Sequence, residues 1–369
     1  MSARYARQIV LPEIGEVGQA LLSKARVLVV GAGGLGSPAL LYLTAAGVGL
    51  DSHGGRIGII DDDHVDASNL QRQILFRESD QGLPKAAASL AHLTALNSKT
   101  RFVSHATRLN ASNIVEILSD YDIVVDGSDN FSTKYLINDA AVKLNRAVVY
   151  GSILGFEGQV SVFWAQHGPC YRCIYPEAPT THIPNCAEAG TLGGIAGVVG
   201  SIQAVEACKL ALGLDHCRTH GLEPLIGKLL IFDALSWDIR KLDLDTNPTC
   251  STCSGSAETI TLADTAPSLC STETTNPISL NDLSELWDSG IPLTLIDVRE
   301  PSEWAAGHLE GALHIPLGTL LTQEDALDTI DSASVVIVYC QHGIRSAHAV
   351  SFLRTKGLTA LNLLVDWPT

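Results

Sequence analysis

The stretch Val27–Gly36, which reads VLVVGAGGLG, decides the fold of this chain. Four apolar residues without interruption are typical of a parallel strand that is covered on both faces. Gly31, Gly33 and Gly36 follow with the spacing G-x-G-x-x-G. Glycines at these places let the backbone turn sharply and bring its N–H groups close to a phosphate, and a helix that begins near Leu35 adds its positive N-terminal end. The stretch therefore predicts a strand, a phosphate-binding turn and a helix.

The composition is that of an acidic globular protein. The 369 residues include 24 Lys and Arg against 40 Asp and Glu, and the net charge of -16 opposes binding to nucleic acid or to an anionic membrane. The length predicts two domains or three, and 46% hydrophobic residues suffice for their cores. The first residues, MSARYARQIV, contain no apolar core of signal-peptide length, so we expect a cytoplasmic protein. We expect neither a nucleic-acid partner nor a membrane partner.

An uncharged stretch of 24 residues, Val27–Leu50, is long enough to cross a membrane. Its six glycines and one proline instead indicate a buried strand followed by a packed helix. A second apolar stretch, Gly190–Leu212, predicts a helix that is buried between elements or between subunits. We therefore do not expect the first stretch to span a membrane.

The pattern of elements predicts two domains. From Arg56 to Leu212 apolar strands alternate with helices, which indicates a mainly parallel sheet, and a predicted hairpin at 228–244 makes that sheet mixed. The composition turns to Ser, Thr, Pro and Asn from Asn247 to Pro277, which is typical of a linker, and a new α/β pattern begins at Ile278. We predict an α/β protein with a Rossmann-like first domain at 1–253, a linker at 254–277 and a smaller α/β domain at 278–369.

Polar residues follow the second predicted strand, Arg56–Ile60. Asp61 lies 25 positions after the last glycine of the turn. At this place a carboxylate accepts hydrogen bonds from ribose hydroxyls. An aspartate that caps a turn is the alternative role. Arg72, in the segment SNLQRQ at 68–73, and Lys85 then supply cations that suit a triphosphate. The glycine turn alone is also typical of a nicotinamide-dependent oxidoreductase, but that class does not need the cations that follow.

Five segments of the first domain occur in the order found in a known family: ARYARQIVL, the glycine-rich stretch 31–49, DASNLQRQILF, GLPK and DGSDN. Over residues 4–253 the chain resembles the adenylating enzymes related to ubiquitin-activating enzyme, in particular the bacterial MoeB and ThiF group. The resemblance implies an ATP site with the phosphate turn at Gly31, Gly33, Gly34 and Gly36, the ribose on Asp61, the phosphates on Ser68, Asn69, Leu70, Gln71, Arg72 and Lys85, and the reacting centre at Asp129 and Asn130.

The same resemblance implies two further roles. Asp129 is the predicted Mg²⁺ ligand, because a carboxylate that attacks the α-phosphate of ATP needs cations to disperse the charge. A helix N-cap before Phe131 is the alternative role for this aspartate. Arg7 resembles the arginine that family members supply across a dimer interface, so we expect a homodimer. The loop 50–55 is longer than the family pattern, which leaves the register of the next strand open.

Two CxxC pairs frame the end of the first domain. Cys170 and Cys173 form one pair, and Cys250 and Cys253 form the other after 76 intervening residues. Four thiolates in two tight turns complete a tetrahedral Zn²⁺ site, whereas a single CxxC is also typical of redox chemistry. The family carries a structural zinc on these pairs. Cys186, in the segment IPNCAEAG, matches a cysteine of the family and is a candidate for a covalent catalytic role or for a packed thiol.

The second domain contains Cys340 and Arg345 in the segment CQHGIRS, directly after the predicted strand Val335–Tyr339. Such a loop directs backbone N–H groups at the sulfur, and the helix end and Arg345 favour the thiolate. With DVREP at 297–301 and GHL at 307–309, the segment resembles the active loop of rhodanese sulfurtransferases. A phosphatase loop has the longer spacing C-x5-R, and an inert rhodanese-like domain usually lacks this cysteine.

The end of the second domain departs from the rhodanese pattern. Rhodanese domains generally close with a Gly-Gly turn and a further helix, whereas residues 361–369 contain no glycine. We therefore expect either that the closing helix is absent or that the chain is truncated.

An adenylating domain joined to a rhodanese domain resembles the fused adenylyltransferase and sulfurtransferase enzymes of the MoeZ type. The resemblance implies that ATP activates the C-terminal glycine of a ubiquitin-like sulfur-carrier protein that ends in Gly-Gly, and that a persulfide on Cys340 then yields a thiocarboxylate. The implied sulfur donor is thiosulfate or a cysteine desulfurase, and such carriers serve molybdopterin, thiamine, cysteine or tRNA thiolation pathways. A nicotinamide-dependent oxidoreductase and a non-catalytic scaffold that docks carriers are the alternative classes.

Overall fold

A computed structural model of the chain describes residues 3–178, 190–264, 277–322, 327, 330–331, 333–341 and 343–365. The chain divides into two units, Met1–Pro267 and Ser268–Thr369. Each unit has its own sheet and its own hydrophobic core.

The first unit is built on an eight-stranded sheet. Its strands are β1 (Arg26–Val30), β2 (Arg56–Ile60), β3 (Phe102–His105), β4 (Ile123–Asp126), β5 (Ala147–Leu154), β6 (Glu157–Phe163), β7 (Lys228–Asp233) and β8 (Asp238–Asp243). Its described helices are α1 (Ala6–Ile9), α2 (Gly15–Lys24), α3 (Gly36–Ala45), α4 (Lys85–Leu96), α5 (Ile114–Ser119), α6 (Phe131–Leu144), α7 (Tyr171–Ile174), α8 (Gly193–Leu212) and α9 (Leu214–Thr219).

The strand order confirms the predicted mixed sheet. It is β3-β2-β1-β4-β5-β6-β7-β8, with parallel pairing from β3 to β5 and antiparallel pairing from β5 to β8. The chain continues from β1 to β2 on one side and later adds β4 on the other side. The carboxyl end of β1 is therefore a topological switch point, the place where doubly wound sheets bind their ligands. The glycine turn lies at this point.

Helices cover both faces of β1. Val27 and Val29 belong to a core that includes residues of α3, α4 and α8, whereas Leu28 and Val30 belong to a core that includes residues of α5 and α6. All four side chains are at most 5% exposed. Burial on both faces explains why this strand reads as an uninterrupted apolar run.

The helix α8 is the apolar helix predicted after Gly190. Among the described helices it is the one that is long and apolar enough to cross a membrane, with a mean hydropathy of 1.5. Ile195 and Val199 are buried in the first core, and 56% of the apolar window lies inside the unit. Gly200 fits against the carbonyl of Leu35, because a Cβ there would lie 2.3 Å from the oxygen. The helix packs as the core helix of a sheet protein does.

Residues 254–264, which we expected to begin the linker, pack on the first unit. Nζ of Lys143 in α6 donates to the carbonyl of Ile260 at 2.9 Å. The Asp264 carboxylate accepts the backbone N–H of Ala111 at 2.7 Å. Contacts that tie the chain to the first unit therefore continue past the second CxxC pair.

The longer loop at 50–55 leaves the register of the sheet intact. It contains a short 3-10 helix at Asp51–His53, and Leu50 forms an isolated bridge with Thr100. The strands β1 and β2 pair in parallel along their whole length, beginning with Arg26 opposite Arg56. The extra residues are thus absorbed before β2 begins.

The second unit contains a smaller, wholly parallel sheet with the order β10-β9-β11-β12. Its strands are β9 (Leu293–Asp297), β10 (Leu313–His314), β11 (Val335–Tyr339) and β12 (Ala360–Leu363). Its described helices are α10 (Leu280–Asp288), α11 (Pro301–Ala306), α12 (Leu317–Thr322) and α13 (Ile344–Thr355). The segment 361–369 lacks the Gly-Gly turn of the rhodanese pattern. Its first residues belong to β12, which is an edge strand of this sheet.

Candidate functional site

The turn between β1 and α3 is closed by backbone contacts that require glycine. Gly31 has a φ of +85° and donates its N–H to the carbonyl of Ile60 at 2.8 Å. A Cβ on Gly36 would lie 1.8 Å from the carbonyl oxygen of Gly31. The first turn of α3 therefore begins directly at the end of β1, so the N-terminal end of the helix and the glycine turn form one phosphate-sized feature.

Asp61 follows β2 and contacts the glycine turn. Its Oδ2 accepts the N–H of Ala32 at 2.7 Å, and its Oδ1 accepts the N–H of Asp63 at 2.9 Å. Burial raises the pKa of this carboxyl, although the two N–H donors and the charge of Lys85 oppose the rise. The carboxylate is thus held between the second strand and the turn, where a ribose acceptor is expected.

The segment 68–73 folds as a tight turn that brings Arg72 to the glycine turn. The Asp66 carboxylate caps it, accepting the N–H of Ser68 at 2.8 Å and the hydroxyl of Ser68 at 2.6 Å. Nη1 of Arg72 donates to the carbonyl of Ser68 at 2.9 Å. A Cβ on Gly34 would lie 3.5 Å from Cγ of Arg72, so the arginine side chain runs beside the turn.

The other residues of this segment have local contacts. Oδ1 of Asn69 accepts the N–H of Asp66 at 3.3 Å, and Leu70 packs against the first core. Gln71 is exposed, and its carbonyl lies against Gly193 at the start of α8, where a Cβ would be 2.2 Å away. The part that these three residues play in phosphate binding stays a prediction.

Lys85, the first residue of α4, has a side chain that is 6% exposed. Its Nζ lies 2.9 Å from Oδ2 of Asp63, and its backbone N–H donates to the carbonyl of the same residue at 2.9 Å. The ammonium is therefore held beside the segment that follows β2. The Asp63 side chain is 70% exposed, so solvent reaches this ion pair from the carboxylate side, and the part that Lys85 plays in phosphate binding stays a prediction.

The loop 127–130, which follows β4, contacts the glycine turn from the other side. Gly127 donates its N–H to the carbonyl of Val30 at 2.8 Å. A Cβ on Gly31 would lie 3.0 Å from the carbonyl oxygen of Gly127, so the two loops touch through their backbones. The structure thus brings the segments after β1, β2 and β4 to one edge of the sheet.

Asp129 is exposed in this loop. The N-cap of α6 is the next residue, Asn130, whose Oδ1 accepts the N–H of Thr133 at 2.9 Å. The capping role that we considered for Asp129 is therefore filled by its neighbour. Asp129 is therefore exposed and uncommitted to the cap, two residues after the contact between Gly127 and the glycine turn.

A buried ion pair beneath the loop was not predicted from the sequence. Nζ of Lys134 lies 3.1 Å from Oδ2 of Asp126 and 2.9 Å from the carbonyl of Gly151. Oδ1 of Asp126 accepts the N–H of Ser128 at 3.0 Å, and Gln203 of α8 donates to the Asp126 carbonyl at 2.8 Å. The side chains of the pair are 6% and 3% exposed, so this network fixes the start of the loop. The only sequence signal was that Asp126 begins the DGSDN motif.

Arg7 is not brought to the glycine turn of its own chain. The neighbouring Gln8 donates from Nε2 to the carbonyl of Ala46 at 2.7 Å, which fastens α1 to the carboxyl end of α3. The ten residues of α3 rise about 15 Å between the glycine turn and this end. The exposed Arg7 side chain therefore lies at the other end of α3 from the site.

The four cysteines of the CxxC pairs meet in one cluster. The Sγ–Sγ distances are 3.8 Å for Cys170 and Cys173, 3.6 Å for Cys170 and Cys250, and 3.4 Å for Cys173 and Cys253. A tetrahedron with Zn–S bonds of about 2.3 Å has edges of about 3.8 Å, so the donor set fits a closed zinc site. All four thiols are free, and all four lie within 4.8 Å of one another.

We expect one zinc ion per chain, measured by elemental analysis of the folded protein. Cys250→Ser should lose the metal and lower Tm by at least about 10 °C, because metal binding to such a site is coupled to folding. Cys208→Ser, which changes a partly buried thiol outside the cluster, should retain the zinc. Folded wild-type protein that contains no zinc would exclude this assignment.

Cys340 follows β11 and is 1% exposed. Its Sγ accepts the N–H of Ser346 at 3.4 Å and lies 3.2 Å from the hydroxyl oxygen of the same residue. Ser346 belongs to the first turn of α13, so the sulfur is placed at the positive end of that helix. One backbone N–H, that of Ser346, is therefore oriented toward the sulfur.

Arg345 forms an ion pair that was not predicted from the sequence. Its guanidinium makes a bidentate contact with Glu303 of α11, with 2.7 Å from Nη1 to Oε2 and 2.6 Å from Nη2 to Oε1. The arginine lowers the pKa of the Glu303 carboxyl, so the pair stays ionised at neutral pH. A carboxylate at this distance offsets the positive charge that we expected to favour a Cys340 thiolate. The predicted catalytic role of Arg345 therefore stays a prediction.

Four other cysteines occur in the chain. Cys186 and Cys270 lie outside the described residues. Cys208 and Cys217 lie in the first unit, where burial raises the pKa of the Cys208 thiol to about 12 and also raises the pKa of the Cys217 thiol. Thiols of this kind are poor nucleophiles at neutral pH.

Both units match known protein families. A model of the ThiF family matches residues 5–252, and a model of the rhodanese-like domain matches residues 279–366. The fold and the two sites define an enzyme that joins an adenylating domain to a sulfurtransferase domain. The chain belongs to the ThiF family. This assignment replaces the oxidoreductase and scaffold alternatives that the sequence left open.

Similar proteins agree with the assignment. The chain is 41% identical over 374 residues to "Probable adenylyltransferase/sulfurtransferase MoeZ" of Mycobacterium tuberculosis, which covers 97% of this chain and 89% of that protein. It is 48% identical over 256 residues to "Sulfur carrier protein adenylyltransferase" of Thermus thermophilus, covering 68% of this chain and 90% of that protein. The crystal structure of E. coli MccB with AMPCPP and MccA shares the fold over 69% of this chain and 74% of that chain, with a TM-score of 0.59 and 21% identity.

Proposed function

We propose that this enzyme uses ATP to adenylate the C-terminal glycine of a ubiquitin-like sulfur-carrier protein and then converts the adenylate to a thiocarboxylate. The observation that carries the proposal is the meeting of three loops at the carboxyl end of β1. They contribute the glycine turn, the Asp61 carboxylate, the Arg72 cation and the exposed Asp129. The same chain holds a cysteine loop of the rhodanese kind.

The adenylation step needs positive charge around the triphosphate. The turn N–H groups, Arg72 and Lys85 are the donors that we propose for the phosphates, and Asp61 is the proposed acceptor for the ribose. Asp129 is exposed and does not cap α6, and it is the residue that would hold Mg²⁺. A bound Mg²⁺ ion would disperse negative charge at the α-phosphate. The carrier carboxylate then displaces pyrophosphate and becomes a mixed anhydride with AMP.

Formation of the thiocarboxylate requires a thiol as reductant. Cys340 thiolate attacks the outer sulfur of thiosulfate, which releases sulfite and leaves a persulfide. The persulfide displaces AMP from the acyl-adenylate and forms an acyl disulfide. Two equivalents of a thiol then reduce that disulfide to the carrier thiocarboxylate and free Cys340, and the thiol leaves as its own disulfide. A cysteine desulfurase that presents a persulfide is the alternative donor.

An exposed apolar surface of the first unit suits the carrier. The β5–β6 turn carries Leu154 and Phe156, which are 49% and 43% exposed, and the β7–β8 turn carries Leu235 and Trp237, which are 75% and 72% exposed. Ala234 donates its N–H to the carbonyl of Phe156 at 3.0 Å, so the two turns adjoin. We propose that the apolar face of the carrier docks here.

Trp237→Ala is expected to raise KM for the carrier about tenfold while kcat changes little, because aromatic residues at an interface centre contribute most of the binding energy. Carrier-dependent pyrophosphate exchange over a range of carrier concentrations gives both constants. Trp287→Ala, which removes a tryptophan that is 53% exposed in the second unit, is the matched control. Equal KM values for the two variants would place the carrier elsewhere.

A homodimer would bring Arg7 of one chain to the ATP site of the other chain. The arginine lies at the far end of α3 from its own glycine turn. The helices α2 and α3 both pack on α8, and each of the three helices carries an exposed apolar side chain. These side chains are Val17, Tyr42 and Val205, which are 68%, 59% and 54% exposed. We propose that a second copy covers this face and receives Arg7 in its ATP site.

Complementation tests the shared site. Arg7→Ala and Asp129→Ala should each be inactive alone, whereas a mixture of the two should recover part of the adenylation, since one mixed site in each heterodimer is intact. Pyrophosphate exchange measures the recovery, and native mass spectrometry verifies that subunits have exchanged. Exchanged subunits without any recovery would show that each site uses residues of one chain.

One experiment tests the whole function. Carriers captured by the enzyme are incubated with it, ATP and thiosulfate, and the mass of their C-termini is measured. We expect the acyl-adenylate without thiosulfate and the thiocarboxylate when thiosulfate and a thiol are added. A carrier that is captured but keeps its free carboxylate would contradict the proposal. The identity of the captured carrier names the pathway.

A further inference from the structure

The turn that starts α13 is fixed by residues of β12 and the segment after it. Gly343 has a φ of +76°, and a Cβ there would lie 2.3 Å from Cδ2 of Leu364. Nδ2 of Asn362 donates to the Gly343 carbonyl at 3.0 Å, and this asparagine is 6% exposed. A buried donor and a close apolar contact therefore hold one turn from the same side.

This turn determines where the Cys340 sulfur finds its partners. Gly343 is the N-cap of α13, and its carbonyl also accepts the N–H of Ala347 at 3.1 Å. Ser346, in the first turn of the helix, supplies the N–H and the hydroxyl that contact Sγ of Cys340. A shift of the turn would move Ser346 relative to the sulfur.

Asn362 is itself held on two sides. In the β11–β12 ladder it lies opposite Val338, two residues before Cys340. Its carbonyl accepts the N–H of Ile278 at 2.8 Å, and Leu364 donates its N–H to the Ile278 carbonyl at 3.0 Å. The asparagine thus has a fixed backbone from which its amide reaches the turn.

We propose that Asn362 is a positioning residue for sulfur transfer, acting through the Gly343 turn to aim the first-turn groups of α13 at Cys340. The proposal rests on the sulfurtransferase half of the proposed function. The amide nitrogen of Asn362 is the group that acts, because the carbonyl oxygen of Gly343 accepts its hydrogen bond. Asn362 does not touch the sulfur.

Asn362→Leu keeps the size of the side chain and removes the donor. We expect kcat for sulfur transfer from thiosulfate to cyanide to fall about tenfold with KM nearly unchanged, and alkylation of Cys340 by iodoacetamide to slow by a similar factor, as expected for the loss of one buried hydrogen bond. Asn362→Gln, which retains an amide donor, should recover part of both rates. Asn281→Leu, at an exposed position of α10, is the matched control.

The measurements use the full chain, whose adenylation activity reports that the first unit is intact. If Asn362→Leu does not fold, Asn362→Ala removes the donor without adding bulk. Wild-type rates in a folded Asn362→Leu protein would overturn the proposal. So would a loss of kcat that Asn362→Gln does not recover and that leaves alkylation unchanged. Wild-type protein without any sulfur transfer would instead overturn the proposed function.

Discussion

Asp129→Ala is expected to lower carrier-dependent exchange between ATP and pyrophosphate by at least about 10³-fold, because it removes a group that balances charge where the carboxylate meets the α-phosphate. The loss should fall mainly on kcat, since the glycine turn, Asp61 and Arg72 still bind the nucleotide. The fold should be unaffected, because Asp129 is exposed and the N-cap of α6 is provided by Asn130.

The exchange assay with purified carrier measures this effect, and circular dichroism verifies the fold. Asp215→Ala is the matched control, because its side chain is 97% exposed and pairs with Arg218 on the same helix, α9. Asp129→Asn should resemble Asp129→Ala if the negative charge is what matters. Exchange near the wild-type rate in Asp129→Ala would remove Asp129 from the reacting centre.

Cys340→Ala is expected to abolish thiocarboxylate formation from thiosulfate while adenylation continues. The cysteine lies in the second unit, whereas the glycine turn and its cations lie in the first, so the two reactions use separate residues. The acyl-adenylate should therefore accumulate. Intact-mass analysis of the carrier, beside a measurement of pyrophosphate release, follows both steps in one sample.

Cys208→Ala is the control for this experiment, since burial raises the pKa of that thiol to about 12 and it should not carry sulfur. Thiocarboxylate at the wild-type rate in Cys340→Ala, with thiosulfate as the sole sulfur source, would assign the persulfide to another thiol, with Cys186 the first to test. Loss of adenylation in the same variant would show instead that the two steps are not independent.

Local sequence patterns were enough to predict the secondary structure that carries both sites. The strands Arg56–Ile60 and Val335–Tyr339 were predicted with the bounds that the structure has. Strand and helix formation depend on residues a few positions apart, so the period of the apolar side chains reveals them. The glycine turn belongs to the same class, because the close approach of Gly36 to Gly31 is a contact within one turn.

The sequence by itself thus determined the two α/β units, the mixed sheet, the turn at its switch point and the pairing of cysteines into CxxC motifs. Only the tertiary structure decided which partner each charged or polar side chain takes. Arg345 pairs with Glu303 across 42 positions, and Asn362 reaches Gly343 across 19. A buried side chain bonds to whatever group the fold brings within about 3 Å, and sequence spacing carries no record of that distance once the chain has turned through several strands and helices.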